Sequence, residues 1–216
     1  MLRRRLLLAV ALLSAGMATA SAHPHVFVDA REEIVFDATG KMTAIRHSWQ
    51  FDEAFTAFAV QGLDANGDGK LSDDELQPLA KVNVDSLKEY RYFTNLKVGN
   101  KHVSVDFPSE YWLDFHGGRL TLFYTLPIRT PIAPGAHATL EVFDPEYFVA
   151  FSFVKNHEIA LTGAPAGCKA SVRPPHELDD ATMAQLAAIP ADQHDLPQEL
   201  ADAASSLATL ITIGCS

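Results

Sequence analysis

The sequence predicts a mainly β fold, antiparallel and sandwich-like, with one helical insert and short helices near its end. Two observations carry that expectation. Apolar residues alternate with polar ones in short runs, separated by turn signals about every ten residues. Helical spacing of apolar residues is confined to about 52–93 and to the last forty or so positions.

Taken in order, residues 1–22 read as a secretory signal peptide: Arg3, Arg4 and Arg5, an apolar run over 6–13, and Ala20-Ser21-Ala22 as the cleavage site. The apolar run is too short to span a bilayer. The expected location is therefore periplasmic or secreted, with no membrane anchor after cleavage. Residues 23–216 are long enough for a single β-rich domain with a sizeable core. The chain carries 17 Lys+Arg against 27 Asp+Glu, a formal charge of −10. Losing the three arginines of the signal, which contains no acid, makes the remainder three units more negative. That balance excludes nucleic acid as an expected partner and suits a protein that meets cations.

The first strand starts at Val26, with Val28, Ala30, Ile34 and Phe36 on one face. Asp37-Ala38-Thr39-Gly40 is a turn, and Ile45, His47, Trp49 and Phe51 share a face of the next strand. After the insert, strands are expected at Leu96 to Val98, then through a Gly99-Asn100 hairpin into Val103, Val105 and Phe107. His116-Gly117-Gly118 turns into Leu120, Leu122, Tyr124 and Leu126, and Pro127, Pro131 and Pro134 suggest a loop. Strands around Leu140, Tyr147 to Phe153, Ile159 and Cys168 follow. The tail reads as helices near 179–189 and 197–207, then a strand over 210–215. Cys168 and Cys215 are an even pair in an exported chain, so a disulfide is expected, with two thiol ligands for a metal as the alternative.

Within the insert, residues 64–75 read D-A-N-G-D-G-K-L-S-D-D-E, the pattern of a twelve-residue EF-hand calcium loop. Asp64, Asn66 and Asp68 take positions 1, 3 and 5, and Gly69 takes the sharp bend at 6. Lys70 would offer its carbonyl, Ser72 a water-mediated contact and Glu75 a bidentate carboxylate. Ser72 and Glu75 also form a capping box for the exiting helix. Phe55, Phe58, Ala59 and Leu63 give the entering helix an apolar stripe. Leu76, Leu79 and Val82 do so for the exiting one, which Pro78 is expected to kink or restart. No second loop of this kind occurs, so the expected Ca²⁺ is a structural staple.

Cleavage after Ala22 exposes His23-Pro24-His25. An N-terminal histidine offers its α-amine and ring Nδ1 to a transition metal, and His25 adds an imidazole that suits Zn²⁺, Cu²⁺, Ni²⁺ or Co²⁺. Pro24 has no amide proton for a metal to displace. His47, Asp52 and Asp144 are the further candidate ligands. Each has a structural alternative: His47 as a core residue, Asp52 as a helix cap, and Asp144 as the start of a turn with Pro145. The remaining histidines, 102, 116, 137, 157, 176 and 194, are expected at the surface.

The ordered set H-P-H-V, W-x-F-D-E-x-F over 49–55, the D-x-N-x-D-G loop, Tyr90-Arg91-Tyr92-Phe93, Phe143-Asp144-Pro145-Glu146-Tyr147 and a C-terminal cysteine resembles a known family. It is an uncharacterised family of bacterial periplasmic proteins, often labelled a periplasmic component of an ABC-type transport system. The resemblance implies a place beside nickel/cobalt or other metal permeases of the inner membrane.

The expected function is a non-enzymatic periplasmic metal-binding accessory protein for transition-metal transport or homeostasis, with a structural calcium site. One alternative is a calcium-stabilised scaffold or adhesion module without transition metal; another is a histidine-brace copper enzyme. Hydrolase motifs such as G-x-S-x-G and H-E-x-x-H are absent.

Overall fold

The computed structural model describes residues 24–153, 159–190, 193 and 195–215. The expected signal peptide, His23, His157 and His194 lie outside that range. Strand β1 (Val26–Phe36) and strand β2 (Met42–Phe51) form the antiparallel hairpin that the alternation predicts, pairing Val28 with Phe51, Ala30 with Trp49 and Ile34 with Ile45. Asp37 builds their turn by accepting from the backbone N–H groups of Thr39 and Lys41, while Gly40 takes φ +78°, a conformation that favours glycine.

Two sheets result. The first runs β5 (Glu110–His116), β6 (Arg119–Ile132), β2, β1, β8 (Val149–Phe153), with β9 (Ala160–Thr162) also pairing to β1. The second runs β10 (Cys168–Arg173), β11 (Thr209–Cys215), β7 (Ala138–Val142), β3 (Thr94–Val98), β4 (Lys101–His102). One hydrophobic cluster takes Ile34, Trp49 and Leu122 from the first sheet and Leu96, Leu140 and Ile211 from the second. The mainly β fold is as expected, with one departure: β8 and β9 pair with β1 in parallel, so the first sheet is mixed.

Other expectations need correction. Pro127 and Pro131 do not open a loop, because β6 continues through both to Ile132 with an irregular register against β2. The Gly99-Asn100 hairpin is short, and Val105 contributes only an isolated bridge to Ile128. Helix α1 (Glu53–Ala59) is only seven residues long and leaves Phe58 exposed. Helix α2 (Asp73–Leu87) runs unbroken through Pro78, burying Leu76, Ala80 and Val84 in the core while Val82 faces out. Pro78 lies beyond the first four N–H groups, which have no intrahelical acceptor, so it forgoes one backbone bond that the burial of Leu76, Ala80 and Val84 offsets.

Cys168 and Cys215 face each other across β10 and β11 and form a disulfide. Helices α3 (Asp180–Ala187) and α4 (Gln198–Ser206) lie between those strands and make a separate small cluster of Leu186, Ile189 and Ala204, against which Tyr147 packs. Among the described residues no helix is long and apolar enough to cross a membrane.

Candidate functional site

The 64–75 loop folds around its own carboxylates. Asp64 Oδ1 accepts from the N–H groups of Gly67 (2.8 Å) and Asp68 (3.1 Å), and its Oδ2 from that of Gly69 (2.9 Å). Asn66 Oδ1 accepts from Asp68 N–H and Asp68 Oδ1 from Lys70 N–H. Gly69, at φ +77°, makes the bend expected at position 6. Glu75 reaches back across the loop: Oε2 accepts from Ser72 N–H and hydroxyl, and Oε1 from Ala65 N–H at 2.9 Å. These bonds, those from Ser72 first, hold the Glu75 carboxyl below its usual range. The capping box with Ser72 is present at the start of α2.

The oxygen donors are those calcium takes. Their carboxylates are nevertheless turned to backbone donors, and among the described residues no three His, Cys, Asp or Glu side chains are gathered to hold a metal ion. An ion in the loop would displace donors from Asp64 Oδ1 and Glu75 Oε2, which already accept two each, and could share Asp64 Oδ2 and Asp68 Oδ1, which accept one backbone N–H each.

The second cluster of candidates sits where β1 begins. The N–H groups of His25 and Val26 both donate to Phe148 O, at 2.8 and 3.2 Å, and the His25 ring stacks on Phe148 at 4.7 Å. One residue on, Phe27 N–H donates to Asp52 Oδ2 and Phe27 O accepts from Asp52 N–H. Asp52 Oδ1 meanwhile accepts from Phe55 N–H, capping α1. A single carboxylate thus ends β2, starts α1 and pins β1.

Asp144 is only 4% exposed. Its two oxygens accept from Glu146 N–H and Val149 N–H, closing the turn that places Phe148 beside His25. Burial pushes its carboxyl above the usual range, against the pull of those bonds. Tyr147 completes the turn at φ +56°, strained for a side chain of its size. His25, Asp52 and Asp144 are therefore brought to one end of the first sheet, where both carboxylates also do structural work. Imidazole and carboxylate are donors that Ni²⁺, Co²⁺, Zn²⁺ or Cu²⁺ take, but these three side chains are not gathered as a metal site in this arrangement.

His47 does not join them. It pairs with Glu32 across β1 and β2, four residues beyond the Val28–Phe51 pair and so roughly 13 Å along the strand. Its Nδ1 lies 2.6 Å from Glu32 Oε2, both side chains fully enclosed, and neither atom has another hydrogen-bond partner. The ring stacks on Tyr124 at 4.4 Å, and Trp49 Nε1 donates to Glu32 Oε1 at 3.2 Å. His47 is a core residue, and the expected ligand set loses it. Glu32 was visible in the sequence only as the one charged residue on the apolar face of β1, opposite His47.

No sequence motif announces the cavity of about 290 Å³ between α2 and the inner face of the first sheet. Residues of four of the motifs behind the resemblance line it: Val26, Trp49, Tyr90, Phe93, Asp144 and Glu146. Arg91, Tyr92 and Phe93 all take positive φ, a run of left-handed backbone without glycine that buries Tyr92 and Phe93.

Compared with known proteins, residues 8–215 match the family described as Protein of unknown function (DUF1007). A 108-residue stretch, 50% of this chain and 77% of the relative, is 33% identical to the uncharacterized 15.5 kDa protein in trpE 3'region of Spirochaeta aurantia.

Proposed function

The chain belongs to the DUF1007 family of proteins of unknown function, and on that premise we propose that it is an extracytoplasmic metal-binding accessory protein that hands a transition metal to or from a membrane permease. After cleavage at Ala22, His23 supplies its α-amine and ring Nδ1, and His25 its imidazole. Asp52 and Asp144 lie at the same end of β1 and offer carboxylate oxygens. A calcium ion in the 64–75 loop clips the helical insert to the sheet.

The observation that supports this reading is the fixing of His25: its backbone is bonded to the 144–148 turn, its ring rests on Phe148, and the next residue but one is held by Asp52. A terminus meant only as a leader scar has no need of such anchoring, whereas a ligand held in place binds more tightly than one that must be ordered first. A second reading, a calcium-stabilised scaffold without transition metal, draws support from the use of all four oxygens of Asp52 and Asp144 by backbone N–H groups.

Calorimetry separates the two. Protein beginning at His23 is expected to bind Cu²⁺ or Ni²⁺ at least about tenfold more tightly than protein with one extra leading residue, because a free α-amine is a ligand only when it is terminal. Equal affinity excludes the amine as a ligand, and no binding by either form favours the scaffold.

A further inference from the structure

We propose that the cavity between α2 and the first sheet binds a small organic cation, a quaternary or heavily methylated ammonium. This goes beyond the metal-binding reading: the cavity shares Asp144 and Phe148 with that site but takes its aromatic walls from Trp49, Tyr90, Phe93 and Phe151.

The walls are aromatic. Trp49, Phe93 and Phe151 pack around one another with ring centroids 4.8 to 6.4 Å apart and planes inclined by 30 to 63°, so the lining presents ring faces in several directions. Tyr90 and Phe148 line it further out, where the chain is partly exposed. Rings set around a void are what recognises a methylated ammonium, whose diffuse charge is drawn to the negative face of each ring and whose methyl groups fill apolar space.

The charge of the lining has one sign. Asp144 and Glu146 both contribute, and no lysine, arginine or histidine does. Asp144 is nearly sealed from solvent. The Tyr90 phenol is pushed up, by burial first and then by the carboxylates of Glu146 and Asp144, which places negative charge near its ring.

These features exclude the other occupants. An anion would meet the carboxylates. A sugar would find too few hydrogen-bonding groups, and a hard metal ion would find ring faces where it needs oxygens. A neutral hydrocarbon would fit the rings but make no use of the two carboxylates, Asp144 and Glu146, in the lining. At about 290 Å³ the space suits a compact headgroup such as choline.

Choline chloride is the probe, with 3,3-dimethyl-1-butanol, which has the same shape but carbon in place of the charged nitrogen, as the comparison. Full-length exported protein carrying Trp112→Phe leaves the buried Trp49 as the single tryptophan reporter. Choline is expected to shift Trp49 emission saturably, with the neutral alcohol about tenfold weaker or worse. Glu146→Gln and Tyr90→Leu, each with an unchanged circular dichroism spectrum, are expected to weaken choline binding about tenfold; they avoid Asp144, whose removal would open the turn itself. No saturable binding of choline by calorimetry overturns the proposal. Equal affinity for the two compounds also overturns it, leaving a neutral apolar pocket.

Discussion

Glu32 and His47 illustrate how one pair can decide what a strand face does. Both are enclosed by Trp49, Tyr124 and the rest of the core, and Glu32 Oε2 and His47 Nδ1 have only each other, at 2.6 Å. Removing one partner leaves a buried polar group alone, which costs about 3–5 kcal/mol, whereas replacing both with apolar residues of similar size is often close to neutral. Glu32→Ala and His47→Ala are each expected to lower the unfolding free energy in urea by that amount. The double variant Glu32→Met/His47→Leu should lose less than either single one. If the losses simply add, the pair is not a unit. The alternation of β1 was legible because Val26, Val28, Ala30, Ile34 and Phe36 repeat every second position. Glu32 was not, since a charge on an apolar face becomes intelligible only when its partner on the neighbouring strand is known.

At the scale of elements, the legible parts were those whose cause is local. Asp52 caps α1, Ser72 and Glu75 box the start of α2, and Asp179 caps α3 through Thr182 N–H, each within four residues of the group it satisfies. Strand β5 was missed because Trp112 and Phe115, on opposite faces, are both exposed aromatics and only Leu113 is buried, which blurs the period of two. The insert also supplies the clearest test of calcium. Because glutamine at position N3 still completes a capping box, Glu75→Gln separates ion binding from helix capping. If calcium binds the native loop with a Kd of about 10⁻⁴ to 10⁻³ M, 10 mM Ca²⁺ stabilises by about 1.4–2.7 kcal/mol. For a chain of this size that raises Tm by about 3–10 °C. Glu75→Gln should retain most of the calcium-free stability and lose the rise. A wild-type Tm indifferent to calcium would leave the loop as a self-bonded turn.

The arrangement of the whole molecule follows from contacts that sequence does not announce. The pairing of β8 with β1 joins Val26 to Val149 in parallel, across more than a hundred residues and with no turn between them to signal it. That pairing sets the 144–148 turn against His25 and gathers residues from four separated motifs around one cavity. At the far end, the Cys168–Cys215 disulfide ties the last strand to β10, so the helices α3 and α4 between them are held as a closed loop. Tyr147, in the 144–148 turn, packs on the small cluster those helices make. The central claim rests on the terminus at the start of β1. Electron paramagnetic resonance of the protein beginning at His23, loaded with one equivalent of Cu²⁺, tests it most directly. The account predicts nitrogen hyperfine splitting from three donors, the α-amine and two imidazoles, reduced by two donors at most in His23→Ala and by one in His25→Ala, and unaffected by Glu75→Gln. A spectrum with oxygen ligands alone, or one that neither histidine substitution changes, would contradict it.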